Sequence, residues 1–117
     1  MKAKLVKFGT IEVKGRRYEH DVVIDRGEVR KRIKKPSKPH RAGYGHTPLS
    51  ADEEIPWGGS QLIIGTGAYG SLPIMPEVGK KASRRGIELV AVPTAEACRL
   101  IARLDRRDVN AVLHVTC

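Results

Sequence analysis

Between Leu5 and Ile33 apolar and polar residues alternate, with Gly9, Gly15 and Gly27 at the reversals. A period of two broken by glycine turns predicts consecutive short antiparallel strands. From Arg17 to Ile24 the alternation puts Tyr18, His20, Val22 and Ile24 on one face and Arg17, Glu19 and Asp21 on the other, because successive strand side chains point to opposite sides. His20 is thereby placed on the apolar side and Asp21 on the polar one. Lys34 to Leu49 holds three prolines and two glycines and reads as a long irregular loop, followed by a polar turn over Ser50 to Ser60.

Beyond that turn the period changes. Strands are expected at Leu62–Ile64, Glu88–Val92 and Ala111–Thr116, and helices at Pro76–Arg85, ended by Gly86, and at Thr94–Arg106. In the second helix Ala97, Leu100, Ile101 and Leu104 make a core stripe at helical spacing, with Arg99, Arg103 and Arg106 outward and Thr94 as N-cap. Near-continuous apolar strands need cover on both faces, so this half reads as a β-α-β-α-β unit with helices packed on a sheet.

The strand at Leu62–Ile64 opens directly into Gly65-Thr66-Gly67-Ala68-Tyr69-Gly70, a G-x-G-x-x-G. As a dinucleotide fingerprint it needs a helix starting at the glycines and an acid at the end of the next strand. Pro73 and Pro76 delay the helix to about Ile74 or Met75, and the acid's place is taken by Pro93-Thr94. No nicotinamide or flavin cofactor is expected. What remains is a loop whose glycines let the backbone approach a ligand and whose N–H groups, with the Thr66 hydroxyl, can form an anion nest. A tight structural turn is the plainer alternative.

The length, 117 residues, suits a single domain around one core. No apolar run exceeds strand length and no apolar segment follows Lys2, Lys4 and Lys7, so neither membrane insertion nor a secretory signal is expected, and the location reads as cytoplasmic. Cys98 and Cys117 form no C-x-x-C pair, and Cys98 reads as a small core residue. The net charge of +9 is carried wholly by residues 1–50, with 14 Lys+Arg against 5 Asp+Glu, while residues 51–117 balance at 8 and 8. Such a field draws polyanions, phosphates or an acidic protein surface.

Taken together, Phe8-Gly9, Ile11, Val13, Gly15, Tyr18 and Asp21–Ile24, the loop Gly45-His46-Thr47-Pro48, Ile63-Ile64-Gly65-Thr66-Gly67 and Leu113-His114-Val115-Thr116-Cys117 resemble the Mth-type domain family. That family includes an adipogenesis-associated protein, a mitochondrial complex I assembly factor and many uncharacterised archaeal and bacterial proteins. The resemblance implies a three-layer α/β fold with a mixed central sheet and an added antiparallel β layer from the N-terminal part. It implies no established enzymatic activity. The chain departs from the family before Leu62, where a longer acidic helix is usual and only Ala51–Ile55 precede Pro56 and Trp57.

Candidate chemistry falls in two places. The first is a ligand site at Gly65, Thr66, Gly67, Tyr69 and Gly70, to which His46 on its glycine-rich loop is a candidate contributor. The second is a basic loop of Arg30, Arg32, Lys34, Lys35, Lys38 and Arg41, with no acid from 30 to 41. Five aromatics and no recognition-helix or RNP pattern argue against a nucleic-acid module, and a solvated, mobile loop fits better. His114 and Cys117, three apart, fall on opposite faces of a continuing strand, so no metal site is expected there. The favoured reading is a binding or assembly-type protein for a small anion or an acidic partner, without catalytic residues. The alternatives are a small enzyme using Thr66 and His46, and a nonspecific nucleic-acid binder.

Overall fold

A computed structural model describes residues 1–117. The alternating N-terminal stretch forms β1 (Ala3–Lys7), β2 (Thr10–Val13), β3 (Arg16–Tyr18), β4 (Val22–Asp25) and β5 (Glu28–Lys31). β1, β2 and β3 make a three-stranded antiparallel sheet. The reversals take left-handed backbone at Gly9, Gly15 and Gly27, where only glycine is unstrained. The strand expected from Arg17 to Ile24 is broken at Glu19–Asp21: Tyr18 belongs to the three-stranded sheet and Val22 to the central one. The chain crosses between layers there, and Asp21, grouped by the alternation with Arg17 and Glu19, turns inward and is buried.

The central sheet runs β5-β4-β8-β6-β7, with β6 (Gln61–Thr66), β7 (Glu88–Val92) and β8 (Asn110–His114). β6 pairs parallel with β7 and β8, whereas β4 pairs antiparallel with β5 and β8. Alternation assigns the faces. Val22, Ile24, Ile63, Ala111 and Leu113 pack with Ile11 and Val13 of β2 and with Ala97 and Ile101 of α3 (Thr94–Ile101). On the opposite face Val23, Leu62, Ile64 and Val112 pack with Val78 and Ala82 of α2 (Pro76–Arg84) and with Leu49 and Ile55. This is a mixed α/β fold in which the three-stranded sheet shares one face with α3. No helix is long and apolar enough to cross a membrane.

Several boundaries differ from the sequence reading. Residues expected as an irregular loop form a 3₁₀ helix over Lys35–His40, with Pro36 in its first turn, and then α1 (Arg41–Tyr44). α3 stops at Ile101 rather than Arg106. Thr94 is not an N-cap. Its hydroxyl accepts from the Gly67 N–H at 2.8 Å and donates to the His114 carbonyl at 2.5 Å, tying α3 to the ends of β6 and β8. α2 begins at Pro76, where a missing N–H costs nothing.

Candidate functional site

On the face that carries Val23 and Val112, the apolar cluster gives way to buried charge. Asp21 Oδ1 accepts from the Val115 N–H at 2.9 Å, and Oδ2 accepts from His114 Nδ1 at 2.8 Å and Arg32 Nη1 at 2.9 Å. Arg32 also holds Glu53 through Nε–Oε1 and Nη2–Oε2, both 2.8 Å, and donates Nη2 to the Pro48 carbonyl at 3.1 Å. Ser37 donates to Glu53 Oε2, and its Oγ lies 2.7 Å from Ser50 Oγ. Asp21, Arg32, Ser37, Ser50 and Glu53 are all buried. Burial alone would raise the Asp21 carboxyl, but the hydrogen bond and attraction from His114, with Val115 N–H and Lys34, hold it well below the usual carboxylate range. Burial likewise opposes the charged Arg32, and Glu53 and Asp21 overcome it and raise its pKa.

Arg32, expected on a solvated basic loop, is therefore the centre of a buried ion cluster. An isolated guanidinium could not be placed there, and the two carboxylates provide the bonds that make its burial tolerable. Arg30 pairs with Asp25 at 3.2 Å and donates to the Glu54 carbonyl at 2.7 Å. Lys34 lies half-buried with Nζ 3.5 Å from Asp21 Oδ2, and Lys35, Lys38 and Arg41 are exposed.

Above this cluster, at the carboxyl ends of β6 and β8, two depressions adjoin and share Lys34 and Thr116. The larger, about 490 Å³, is lined by Lys31, Lys34, Lys35 and Lys38 but also by Glu19 and Asp21. The smaller, about 210 Å³, gathers Lys34, Arg41, His46, His114, Ser71 and Thr116, with Thr47, Leu72, Pro73 and Cys117 completing its wall. None of its lining residues has an acidic side chain. Its shape depends on a bridge between two distant loops: Leu49 N–H donates to the Pro73 carbonyl and Met75 N–H to the Leu49 carbonyl, each at 2.9 Å.

The glycine loop lies beside this pocket, and its backbone donors point into the protein. Gly67 N–H goes to Thr94 Oγ1, Ala68 N–H to the Thr116 carbonyl at 2.6 Å, and Tyr69 and Ser71 N–H to the Cys117 carbonyl at 3.3 and 2.9 Å. Gly67 has φ +108°, and a Cβ there would lie 2.6 Å from the Cys117 oxygen and 2.8 Å from the Thr116 oxygen. Gly65 is equally confined, since a Cβ would lie 2.7 Å from Thr94 Oγ1. Of the residues singled out in the sequence, His46, Lys34 and Arg41 meet at the smaller pocket, whereas Gly65, Thr66, Gly67, Tyr69 and Gly70 are absent from its lining. Thr66 is buried, and Tyr69 is exposed with its ring 5.9 Å from Phe8.

Asp21, Glu53, His114, Ser71 and Thr116 were not among the candidate site residues of the sequence reading. Strand alternation misplaced Asp21 because the strand breaks there. His114 and Cys117 line one pocket because β8 ends at His114 and the chain leaves strand geometry. No local pattern marks Glu53, whose burial follows from Arg32.

A family model described as a protein of unknown function (DUF498/DUF598) matches residues 4–114. Among solved structures, the chain is similar to the conserved hypothetical protein PH1505 of Pyrococcus horikoshii OT3, at 30% identity and TM-score 0.79, over 100% of both chains. It is also similar to a protein named MT938, at 28% identity and TM-score 0.64, covering 95% of this chain and 94% of that one. No curated protein matches.

Proposed function

Since the chain belongs to the DUF498/DUF598 family of proteins of unknown function, no activity comes with membership, and we propose from the pocket itself that it is a cytoplasmic binding protein of Mth type for a small anion. The observation that carries this reading is the meeting of Lys34, Arg41, His46 and His114 around about 210 Å³ with no acidic side chain in the lining. Arg41 makes no ion pair in the fold, so its charge is available to a ligand. A guanidinium holds phosphate or carboxylate through two parallel bonds. The Gly65–Gly70 loop contributes indirectly in this reading, by fixing Thr116 and Cys117 through its own N–H groups. The size of the pocket favours a phosphate-sized group over the acidic face of a protein.

The test is thermal unfolding in phosphate or sulfate against chloride at matched ionic strength. Specific binding raises the midpoint saturably, with a stabilisation of about 1.4 kcal/mol at roughly tenfold excess over Kd. Arg41→Gln with His46→Gln is expected to abolish that response while leaving the chloride midpoint unchanged. Identical behaviour of the native protein in all three salts defeats the reading. Protection only by an acidic peptide would move the proposal to a protein partner.

A further inference from the structure

His114 is held between two partners. Nδ1 lies 2.8 Å from Asp21 Oδ2, and Nε2 lies 3.2 Å from Thr116 Oγ1. An ionised carboxylate only accepts hydrogen bonds, so Nδ1 carries the hydrogen and the lone pair of the neutral ring falls on Nε2, toward the Thr116 hydroxyl. The carboxylate cannot swing away, because Arg32 shares Oδ2 and the Val115 N–H holds Oδ1. Thr116 is half-buried at the junction of the two depressions, where a ligand can reach it. A carboxylate, an imidazole and a hydroxyl in this series form the arrangement that activates a hydroxyl as nucleophile.

We propose that Thr116 and His114 are the nucleophile and general base of a hydrolytic site for carboxylic esters that carry a second, anionic group. Asp21 is a positioning residue that acts through His114. The anionic part of the substrate rests on the reading of the pocket above; the nucleophile stands on the Asp21–His114–Thr116 geometry alone. Thr116 Oγ1 adds to the ester carbonyl carbon as its proton passes to His114 Nε2, and Lys34 lines the junction as a cation for the oxyanion. The adduct collapses, the bond to the alcohol oxygen breaks, and Nε2 returns the proton to that oxygen. Water, giving a proton to Nε2, then cleaves the threonyl ester; the acid departs and the proton returns to Oγ1.

The experiment compares 4-nitrophenyl hemisuccinate with 4-nitrophenyl acetate on the full chain. It follows nitrophenol release and maps the acyl group by tandem mass spectrometry after acid quench. The native protein is expected to show a burst and an acyl group on the Thr116 hydroxyl. Thr116→Val and His114→Gln should lower the rate by about 10²-fold or more, and Thr116→Ser should restore the adduct, which separates lost chemistry from lost folding. The titratable side chains around His114 are Asp21, against its Nδ1, and Lys34, Arg41, His46 and Cys117, which line the smaller pocket with it. Of these, Asp21 touches Nδ1 and keeps the hydrogen on it, so Asp21→Asn should lower kcat with little change in KM. A merely structural role would show instead as lost folding, with the folded fraction keeping its kcat. Acylation confined to lysines or Cys117, or an undiminished rate in Thr116→Val, overturns the proposal. Equal handling of the two esters with the Thr116 adduct still formed would overturn only the anion reading.

Discussion

The Arg32 guanidinium meets the Glu53 carboxylate through two parallel bonds of 2.8 Å, with the two side chains 1% and 3% exposed. The pair joins the residue after β5 to the segment leading into β6, and Asp21 closes it against β8. Removing one partner strands the other's charge in a buried site. Arg32→Met is therefore expected to destabilise by about 3–5 kcal/mol in denaturant titration. The exposed pair Lys35→Glu and Lys38→Glu should each stay within about 0.5 kcal/mol. Comparable losses from both sets would mean that the ion cluster is not the point at which this basic segment is anchored.

The pH dependence of stability is expected to run through Asp21. Its carboxyl is held lower in the fold than in the unfolded chain, where a carboxyl titrates near about 3.9. A group with a depressed folded value adds stability that is fully present above the unfolded value and is lost as the pH falls toward the folded one. Urea titrations below a pH of about 4 should thus show a steep acid loss that Asp21→Asn flattens. An unchanged acid limb in that variant would assign the loss to other carboxylates.

Much of the scaffold could be read from the chain. The alternation from Leu5 to Ile33 corresponds to five strands, and the apolar strands and Pro76 helix start of the second half stand within a few residues of expectation. Asp21 and Cys117 were misplaced for one physical reason: local pattern records which face a side chain takes only while the element continues. The break at Glu19–Asp21 reversed the reading of Asp21, and the end of β8 at His114 brought Cys117 round to the same pocket. Arg32 lay hidden among four neighbouring lysines from Lys31 to Lys38 because its partners, Asp21 and Glu53, are 11 and 21 residues away. Long-range charge pairing leaves no periodic trace.

Gly67 should be intolerant of any side chain. It combines a positive φ with close approach of the Thr116 and Cys117 carbonyls, and a Cβ collides with backbone that cannot rotate away. Gly67→Ala is expected to cost about 1–3 kcal/mol from the strained backbone alone, plus whatever displacement of Thr116 and Cys117 follows. Denaturant titration gives the first quantity, and loss of the phosphate-dependent thermal shift reports the second. Full stability in Gly67→Ala would show that this turn can reorganise.

The two thiols should separate by rate, and the faster one should report on the pocket. Cys98 is buried, and burial pushes its thiol up to about 11, which leaves little of the thiolate that attacks a disulfide or haloacetamide. Cys117 is exposed and lines the smaller pocket beside Lys34, Arg41 and His46. Native protein is expected to take up one equivalent of Ellman's reagent quickly, at Cys117, and the second only on unfolding. Because Cys117 shares its wall with the cationic groups, saturating phosphate should slow its alkylation by neutral iodoacetamide, whereas chloride at the same ionic strength should not. Arg41→Gln should remove that protection. Equal labelling of the two cysteines in the native protein contradicts the burial of Cys98, and phosphate that stabilises the fold without slowing alkylation would place the bound anion away from Cys117.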